Sequence, residues 1–517
     1  MGTRRRRSAG ARILRALAVL VAVVVLAVAG LALWGWNAAS STNVGRVAFD
    51  RPLAIPPLAP STVDAQGVRR FDLTMAPGRA ELLPGTRTDT WGVDGAYLGP
   101  TLRAARGERV AVDLHNRLPE ATSMHWHGME LPARMDGGPH SPIAPGTTWS
   151  PSWTIDQPAS TLWYHPHPHG RTAEHVHRGL AGMFQVDDAE SAALPLPRRY
   201  GVDDVPVILQ DRVFDADGAM PSQANSSAGM LGDEILVNGT HGPVLDVTTS
   251  TVRLRVVNAS AARVYDLALD DGRGFSVIGT DSGLLDAPVP ATRWQVAPGD
   301  RAEIVVPVRP GETALLRSLP PDLDTNAIES RLGGGDDTFD LLALRAAPAL
   351  EQNPPLPARL ATTPEIEPTP GVPPREFRLD GNSQINGREM DMNRIDAVVP
   401  TGRVEVWNVR TDAAIPHSFH VHDAAFRVLD VGGAAPPPEL RGRQDTIYLP
   451  QGEWVRLAVS FGQHPDPDVP FMIHCHMLDH EDRGMMAQFV LVRPDQVDRA
   501  PSLEGTAGAG GHPGMHG

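Results

Sequence analysis

The chain of 517 residues carries 61 acidic and 46 basic side chains, which gives a formal net charge of −15. This balance argues against nucleic acid as a partner, because phosphate backbones are bound by clustered basic charge. The 50 glycines, the 49 prolines and an aromatic content of only 5% are typical of short strands joined by turns. We therefore expect an all-β protein, with about three domains at this length.

The N-terminus combines a basic cluster with a long apolar run. Residues 16–36 form an uncharged stretch of 21 residues, which is longer than a secretory signal core of about 7–15 residues and long enough to span a membrane. We expect an anchored, extracytoplasmic protein with its basic end in the cytoplasm. The alternative is a signal cleaved near Ala38-Ala39-Ser40, which would release the chain to the periplasm or the medium. The basic cluster consists of Arg4, Arg5, Arg6, Arg7, Arg12 and Arg15.

A strand-like motif preceded by a polar turn recurs three times, about 150 residues apart, at 110–114, 252–257 and 404–409. Such a recurrence indicates an internal repeat, and proline-rich stretches at 193–199 and 353–374 separate the copies. The sequence therefore predicts three β-sandwich domains in series. The predicted segments are an anchor or signal at 1–44, domains at 45–190, 197–350 and 376–495, and a disordered tail at 496–517.

Histidines recur in pairs separated by one residue, where roughly 0.7 such pairs would be expected by chance. In a strand, residues i and i+2 share a face, so each pair can present two imidazoles to one metal site. His169 is interpreted as a neighbour of the second motif, and His175 and His177 as surface residues. The pairs are 125/127, 165/167, 167/169, 175/177, 420/422 and 474/476.

The only cysteine, Cys475, lies between His474 and His476. By strand alternation its side chain points away from both histidines, so one strand can serve two metal centres. The same parity places His417 on the opposite face from His420 and His422. Cysteine, two histidines and a methionine form the ligand set of a blue-copper site. We therefore predict a mononuclear copper site formed by His417, Cys475, His480 and Met485.

Four segments together resemble the four copper motifs of multicopper oxidases, and the resemblance is closest to the bacterial three-domain type that includes copper-efflux oxidases and laccases. It extends over roughly residues 60–495. It implies three cupredoxin-like Greek-key domains, β-sandwiches or barrels, which here would follow the apolar N-terminal helix expected from residues 16–36. The segments are His125-Trp126-His127-Gly128, Trp163-Tyr164-His165-Pro166-His167, His417-Ser418-Phe419-His420-Val421-His422, and His474-Cys475-His476 through His480 to Met485.

The resemblance also implies four copper ions: the type 1 copper of the mononuclear site, one type 2 copper and two type 3 coppers. By match, His125 and His420 would bind the type 2 copper. One type 3 copper would be bound by His127, His165 and His476. The other would be bound by His167, His422 and His474.

The activity that the resemblance implies is one-electron oxidation of a donor at the type 1 copper, coupled to four-electron reduction of dioxygen to water at the trinuclear cluster. By match, Asp136 and Glu481 resemble the acidic residues that relay protons there. The third domain offers only Met390 and Met392 where copper-efflux oxidases carry a methionine-rich insertion. Phenols, aromatic amines and cuprous ion therefore stay open as donors. We expect a monomer.

Three other functions compete with this one. A copper-free cupredoxin scaffold, like the division-associated members of the same family, is disfavoured because all twelve copper ligands are present. A copper-sequestering protein would bind the metal without turnover, and a copper nitrite reductase would not need four histidine pairs in one chain.

Overall fold

The structure is a computed structural model that describes residues 4–361 and 365–499. Its secondary structure is mainly β, as predicted, with one long helix at the N-terminus. The tail predicted to be disordered, 496–517, begins within a 3-10 helix, Pro494–Arg499, and lies outside the described residues from residue 500 onward.

The described helices are α1 (Arg4–Ala38), α2 (Thr172–Arg178), α3 (Ala189–Ala193), α4 (Ala327–Leu332) and α5 (Leu478–Asp482). The first strands are β1 (Arg51–Pro52), β2 (Ser61–Val63), β3 (Val68–Ala80), β4 (Thr88–Val93), β5 (Leu102–Ala105), β6 (Arg109–Asn116), β7 (His125–His127), β8 (Thr148–Trp149), β9 (Ser152–Thr154), β10 (Ser160–His165) and β11 (Gly182–Asp187). The next are β12 (Asp204–Arg212), β13 (Glu234–Val237), β14 (Thr240–His241), β15 (Pro243–Thr249), β16 (Thr251–Asn258), β17 (Tyr265–Leu269), β18 (Phe275–Thr280), β19 (Gly283–Ala291), β20 (Trp294–Val296), β21 (Arg301–Pro307), β22 (Thr313–Leu319) and β23 (Phe339–Glu351). The last are β24 (Arg375–Asp380), β25 (Gln384–Ile385), β26 (Ala397–Pro400), β27 (Glu405–Thr411), β28 (His417–Val421), β29 (Ala424–Val431), β30 (Thr446–Leu449), β31 (Val455–Phe461), β32 (Asp466–Cys475) and β33 (Met486–Val492).

Helix α1 includes a stretch, Arg12–Gly30, that is long and apolar enough to cross a membrane. Its mean hydropathy is 2.7, and none of it is buried against the rest of the protein. The predicted apolar helix is therefore present. Its length and composition suit either a membrane span or a signal sequence.

The strands form three pairs of sheets along the chain. The N-terminal pair contains β2–β11, the central pair contains β1 and β12–β23, and the C-terminal pair contains β24–β33. Each pair encloses its own apolar core, and the largest buried side chains include Trp126 in the N-terminal core, Tyr265 in the central core and Trp407 in the C-terminal core. Strand β1 lies within the predicted first domain but pairs in parallel with β15 of the central sheets.

Strand register brings the histidine motifs together in the N-terminal and C-terminal pairs. In the N-terminal pair, β7 runs antiparallel to β10, with His125 opposite His165. In the C-terminal pair, β28 runs antiparallel to β32, with His420 opposite His474. Directly opposed residues in antiparallel strands have side chains about 5 Å apart on the same face. The pairing therefore concentrates imidazoles from four distant parts of the sequence.

Candidate metal centre

Eight imidazoles from the N-terminal and C-terminal sheets form one buried cluster, the histidine cluster. Each of these residues is at most 1% exposed. Burial in a protein interior is costly for a polar ring unless it is neutral and partnered. The cluster consists of His125, His127, His165, His167, His420, His422, His474 and His476.

Three of these rings converge on one point. The Nε2 atom of His474 lies 3.3 Å from Nε2 of His167 and 3.2 Å from Nε2 of His422. Burial and the neighbouring imidazoles hold the pKa of all three rings well below 6.5, which keeps them neutral. A neutral imidazole offers a lone pair to a metal. This trio is the same set that the family resemblance implies for one type 3 copper.

In the rest of the histidine cluster, hydrogen bonds to the backbone show which ring nitrogen is free to bind a metal. The Nδ1 atoms of His125, His165 and His420 donate hydrogen bonds to backbone carbonyl oxygens at 3.0, 2.8 and 2.8 Å. These bonds place the proton on Nδ1 and leave a lone pair on Nε2. Within the described part of the chain, the Nε2 atoms of all three rings are buried without a partner, as are both ring nitrogens of His476. Buried nitrogens without partners, grouped on imidazoles, fit a site for soft or borderline transition metals such as copper.

Two carboxylates contact the Nδ1 atoms of rings in the histidine cluster. Asp136 Oδ2 accepts a hydrogen bond from His422 Nδ1 at 2.8 Å. Glu481 Oε1 lies 3.1 Å from His167 Nδ1, and its Oε2 lies 3.3 Å from His474 Nδ1. Both acids are buried, at 2% and 1% exposure. The structure therefore places both predicted acidic residues beside the histidine cluster, where they can orient the rings.

Sequence reasoning did not identify a further acid at the cluster. Asp445 Oδ1 lies 3.0 Å from His127 Nε2, and its carboxylate forms a two-point ion pair with Arg301, whose Nη1 donates to Oδ1 at 2.7 Å. Asp281 accepts a hydrogen bond from the backbone N–H of Arg301 at 2.7 Å. None of these three side chains is exposed. The triad Asp281–Arg301–Asp445 thus connects the central sheets to the cluster, through contacts that no local motif reveals.

The second candidate centre contains the cysteine. His417 Nδ1 lies 3.4 Å from Cys475 Sγ, and His480 Nδ1 lies 3.6 Å from the same sulfur. Met485 is fully buried in the same core, and its carbonyl oxygen accepts a hydrogen bond from the Cys475 backbone N–H at 3.1 Å. Burial raises the pKa of Cys475 to about 12, so the thiol without metal is neutral and must lose a proton to bind one.

The outer edge of this mononuclear site is closed by a central-sheet loop. His480 Nε2 donates to the carbonyl oxygen of Ser227 at 2.9 Å. This bond places the proton on Nε2 and leaves Nδ1 facing Cys475 with its lone pair. Neither His417 nor His480 has any exposed surface.

The other histidines of the paired motifs lie outside both centres. His169 is exposed, in keeping with its interpretation as a neighbour. The interpretation of His175 and His177 as surface residues is wrong, because helix α2 turns both inward and leaves them 0% and 3% exposed. His175 lies 2.9 Å from Thr122 Oγ1 and 2.7 Å from Glu120 Oε1, so it is a core histidine with polar partners.

Comparison with known proteins places these centres in a family. Models described as "Multicopper oxidase" match residues 74–191 and 363–495. The multi-copper oxidase from Pediococcus acidilactici has a similar structure, with a TM-score of 0.79, 33% identity, and coverage of 86% of this chain and 92% of that one. The McoA multicopper oxidase from Aquifex aeolicus gives a TM-score of 0.77 at 30% identity, covering 86% of this chain and 99% of that one.

Curated relatives carry a different description. The "Cell division protein FtsP" of Salmonella typhimurium is 39% identical over 453 residues, which is 86% of this chain and 93% of the relative. The protein of the same name from Escherichia coli is 38% identical over 451 residues, again 86% of this chain and 93% of the relative.

These relatives contradict the predicted function, which was donor oxidation coupled to four-electron reduction of dioxygen. They are named for cell division and not for an oxidation, and they favour the alternative of a cupredoxin protein without turnover. The prediction failed because a complete set of ligands indicates what a site can bind and not how a cell uses it. The family itself is shown by the matches in sequence and in structure, and the chain belongs to the multicopper oxidase family.

Proposed function

We propose that this chain is a copper-binding cupredoxin protein of the cell envelope, acting through its copper-loaded fold and its surface without catalytic turnover. The observation that carries the proposal is a set of buried imidazoles whose Nε2 atoms have no partner among the described residues, namely His125, His165, His420 and His476. A protein that had given up copper would gain stability by replacing such rings with apolar side chains, because unpaired buried polar atoms are costly. Their presence favours a metal-bound state over a copper-free scaffold.

In this proposal four coppers would occupy two places. His417, Cys475, His480 and Met485 would hold one copper in the mononuclear site, and the eight imidazoles of the histidine cluster would hold three. Bound copper would supply a site for one-electron exchange and would tie the surrounding strands together.

Asp136 and Glu481 would act in this state as positioning residues. Each carboxylate lies against the Nδ1 side of a cluster imidazole, which favours the proton on Nδ1 and leaves Nε2 free to bind metal. Such partners commonly account for a 10- to 100-fold change in metal affinity.

The relatives named for cell division suggest that the protein functions in the cell envelope. An apolar helix followed by a β-rich body fits a retained anchor, with the copper centres outside the cytoplasm. In this proposal copper stabilises a surface that other envelope components contact.

Copper content and oxygen uptake test the proposal together. We expect the purified chain to bind copper in both centres and to show the intense blue absorption of a thiolate-bound copper. Cys475→Ser should abolish the blue absorption and remove one copper while the cluster coppers remain. The matched control is His169→Gln, which changes an exposed histidine of the same motif and should bind copper as the wild type does.

Two results would contradict the proposal. Failure of the wild type to retain copper would indicate a copper-free scaffold. Sustained oxygen consumption by the copper-loaded chain with a phenolic dye or with cuprous ion, above that of free copper, would show turnover.

A further inference from the structure

The end of helix α1 is fixed to a short helix of the central sheets. The guanidinium of Arg331 on α4 lies over the ring of Trp36, 4.7 Å from its centroid. The same group donates to the Trp36 carbonyl oxygen at 2.6 Å and to Ser40 Oγ at 3.2 Å. A cation stacked on an aromatic ring and hydrogen bonded to its backbone holds the two helices together.

The residues that follow α1 are hydrogen bonded to the β-rich body. The Ser41 backbone N–H donates to Asp337 Oδ1 at 2.6 Å. Asn43 exchanges two hydrogen bonds with the backbone of Asp340, at 2.9 and 2.7 Å. The apolar helix therefore leaves the β-rich body at a defined place, beside α4.

Helix α4 presents an apolar face to solvent at this place. Ile328 is 60% exposed and Leu332 is 47% exposed. Residues four apart lie on the same face of a helix, so the two side chains form one patch on the helix whose Arg331 contacts Trp36, and Trp36 is itself 42% exposed. Single exposed apolar residues are common, but a paired patch at the end of an apolar helix marks a contact surface.

The length of the apolar run sets the depth of this patch. Residues 16–36 in a helix span about 30 Å at 1.5 Å per residue, which equals the hydrocarbon thickness of a bilayer. Trp36 then lies at the membrane–water interface, where tryptophan is enriched. Because Arg331 binds Trp36, α4 must lie at the same depth.

We propose that Ile328 and Leu332 of α4 insert into the outer interface of the lipid bilayer and hold the β-rich body in one orientation on the membrane. The contact is apolar, since the two charged side chains of α4 have partners within the protein, Glu329 with Ser227 and Arg331 with Asp336. With a net charge of −15, the protein gains nothing from anionic lipid, and a zwitterionic bilayer suffices. This inference rests on the proposed retention of α1.

The orientation has a consequence for the mononuclear site. Ser227 Oγ donates to Glu329 Oε2 at 2.9 Å, and the Ser227 carbonyl oxygen accepts from His480 Nε2 at 2.9 Å. The outer edge of the Cys475 site is therefore two hydrogen bonds from the helix in contact with lipid. The proposed orientation would therefore place the Ser227 side of the mononuclear site toward the membrane.

Site-directed fluorescence on the full chain in phosphatidylcholine nanodiscs tests the proposal. Ile328→Cys and the control Val63→Cys, which is 57% exposed on β2, are each labelled with an environment-sensitive fluorophore. The wild type serves as the labelling blank, because its one cysteine is buried. We expect the label at position 328 to emit at shorter wavelength and to be quenched several-fold more strongly by spin-labelled lipid than the label at position 63.

Equal quenching at the two positions, with the chain intact and membrane-bound, would overturn the docking of α4 and leave copper binding untouched. The mass of the protein recovered from membranes tests the anchor separately. A mature chain that begins near Ser40 would overturn both the anchor and the docking. Copper content is measured on the same samples, so a failure of the proposed function is seen independently.

Discussion

Replacement of Arg301 by methionine should destabilise the protein strongly. The guanidinium has no exposed surface and forms a two-point pair with Asp445, while its Nη2 also donates to the Asp281 carbonyl oxygen at 3.0 Å. Methionine fills much of the space but leaves Asp445 as a buried carboxylate without a counter-ion. Breaking a buried ion pair by removing one partner typically costs about 3–5 kcal/mol, and we expect Arg301→Met to lower the free energy of unfolding by that amount.

A second arginine provides the control. Arg345 forms the same two-point pair with Asp246, at 2.6 and 3.0 Å, but on the surface, where the two side chains are 53% and 68% exposed. Water screens that pair and solvates whichever partner remains, so Arg345→Met should leave stability almost unchanged.

The assay is urea unfolding of the metal-free chain, monitored by tryptophan fluorescence. The double variant Arg301→Met/Asp445→Asn should recover part of the lost free energy of unfolding, because the uncompensated charge of Asp445 is removed. Equal shifts of the urea midpoint for Arg301→Met and Arg345→Met would refute the argument that burial makes the difference.

Two further perturbations have defined outcomes. Burial alone would raise the pKa of Glu405, but hydrogen bonds and charge from Arg375 hold that pKa below 4.5. The ionised carboxylate therefore stabilises the folded state at neutral pH, and this stabilisation is lost as the pH falls through the folded-state pKa. Glu405→Gln should therefore be less stable than wild type at pH 7. In urea titrations the gap should close as the pH falls from 4.5 through the folded-state pKa, and a gap independent of pH would count against the ion pair. Gly137 and Gly146 share a φ of +76°, but an added Cβ meets the Met124 carbonyl oxygen at 1.7 Å at the first and nothing within 4 Å at the second. Gly146→Ala should lower the stability by about 1–2 kcal/mol through left-handed backbone strain. Gly137→Ala should lower it clearly more, as measured by thermal unfolding. Equal losses of stability would show that a small local shift relieves the clash.

The two-sided use of strand β32 could be predicted from the sequence because it depends only on the alternation of a pleated strand. The described structure places Cys475 near His417 and His480, while His474 lies in the histidine cluster. The fold class followed similarly from composition and repeat, and is confirmed. That the grouped side chains bind copper stays a prediction.

Other features could not be predicted because they depend on packing between distant segments. Asp445 reaches the cluster only because β30 pairs with β28, which sets Thr446 opposite His420. His175 and His177 carry the motif spacing, but they lie on a helix, where residues i and i+2 do not share a face. The spacing itself does not distinguish a strand from a helix.

The histidine cluster also fixes when the protein can acquire metal. His167 and His474, whose Nε2 atoms lie 3.3 Å apart, are separated by 307 residues of chain, and the whole of the central sheets must be made and folded between them. A nascent polypeptide that lacks the last of these segments therefore has no complete cluster to load. Metal bound afterwards would join the first and last thirds of the molecule, so a filled cluster would record that synthesis and folding have both been completed.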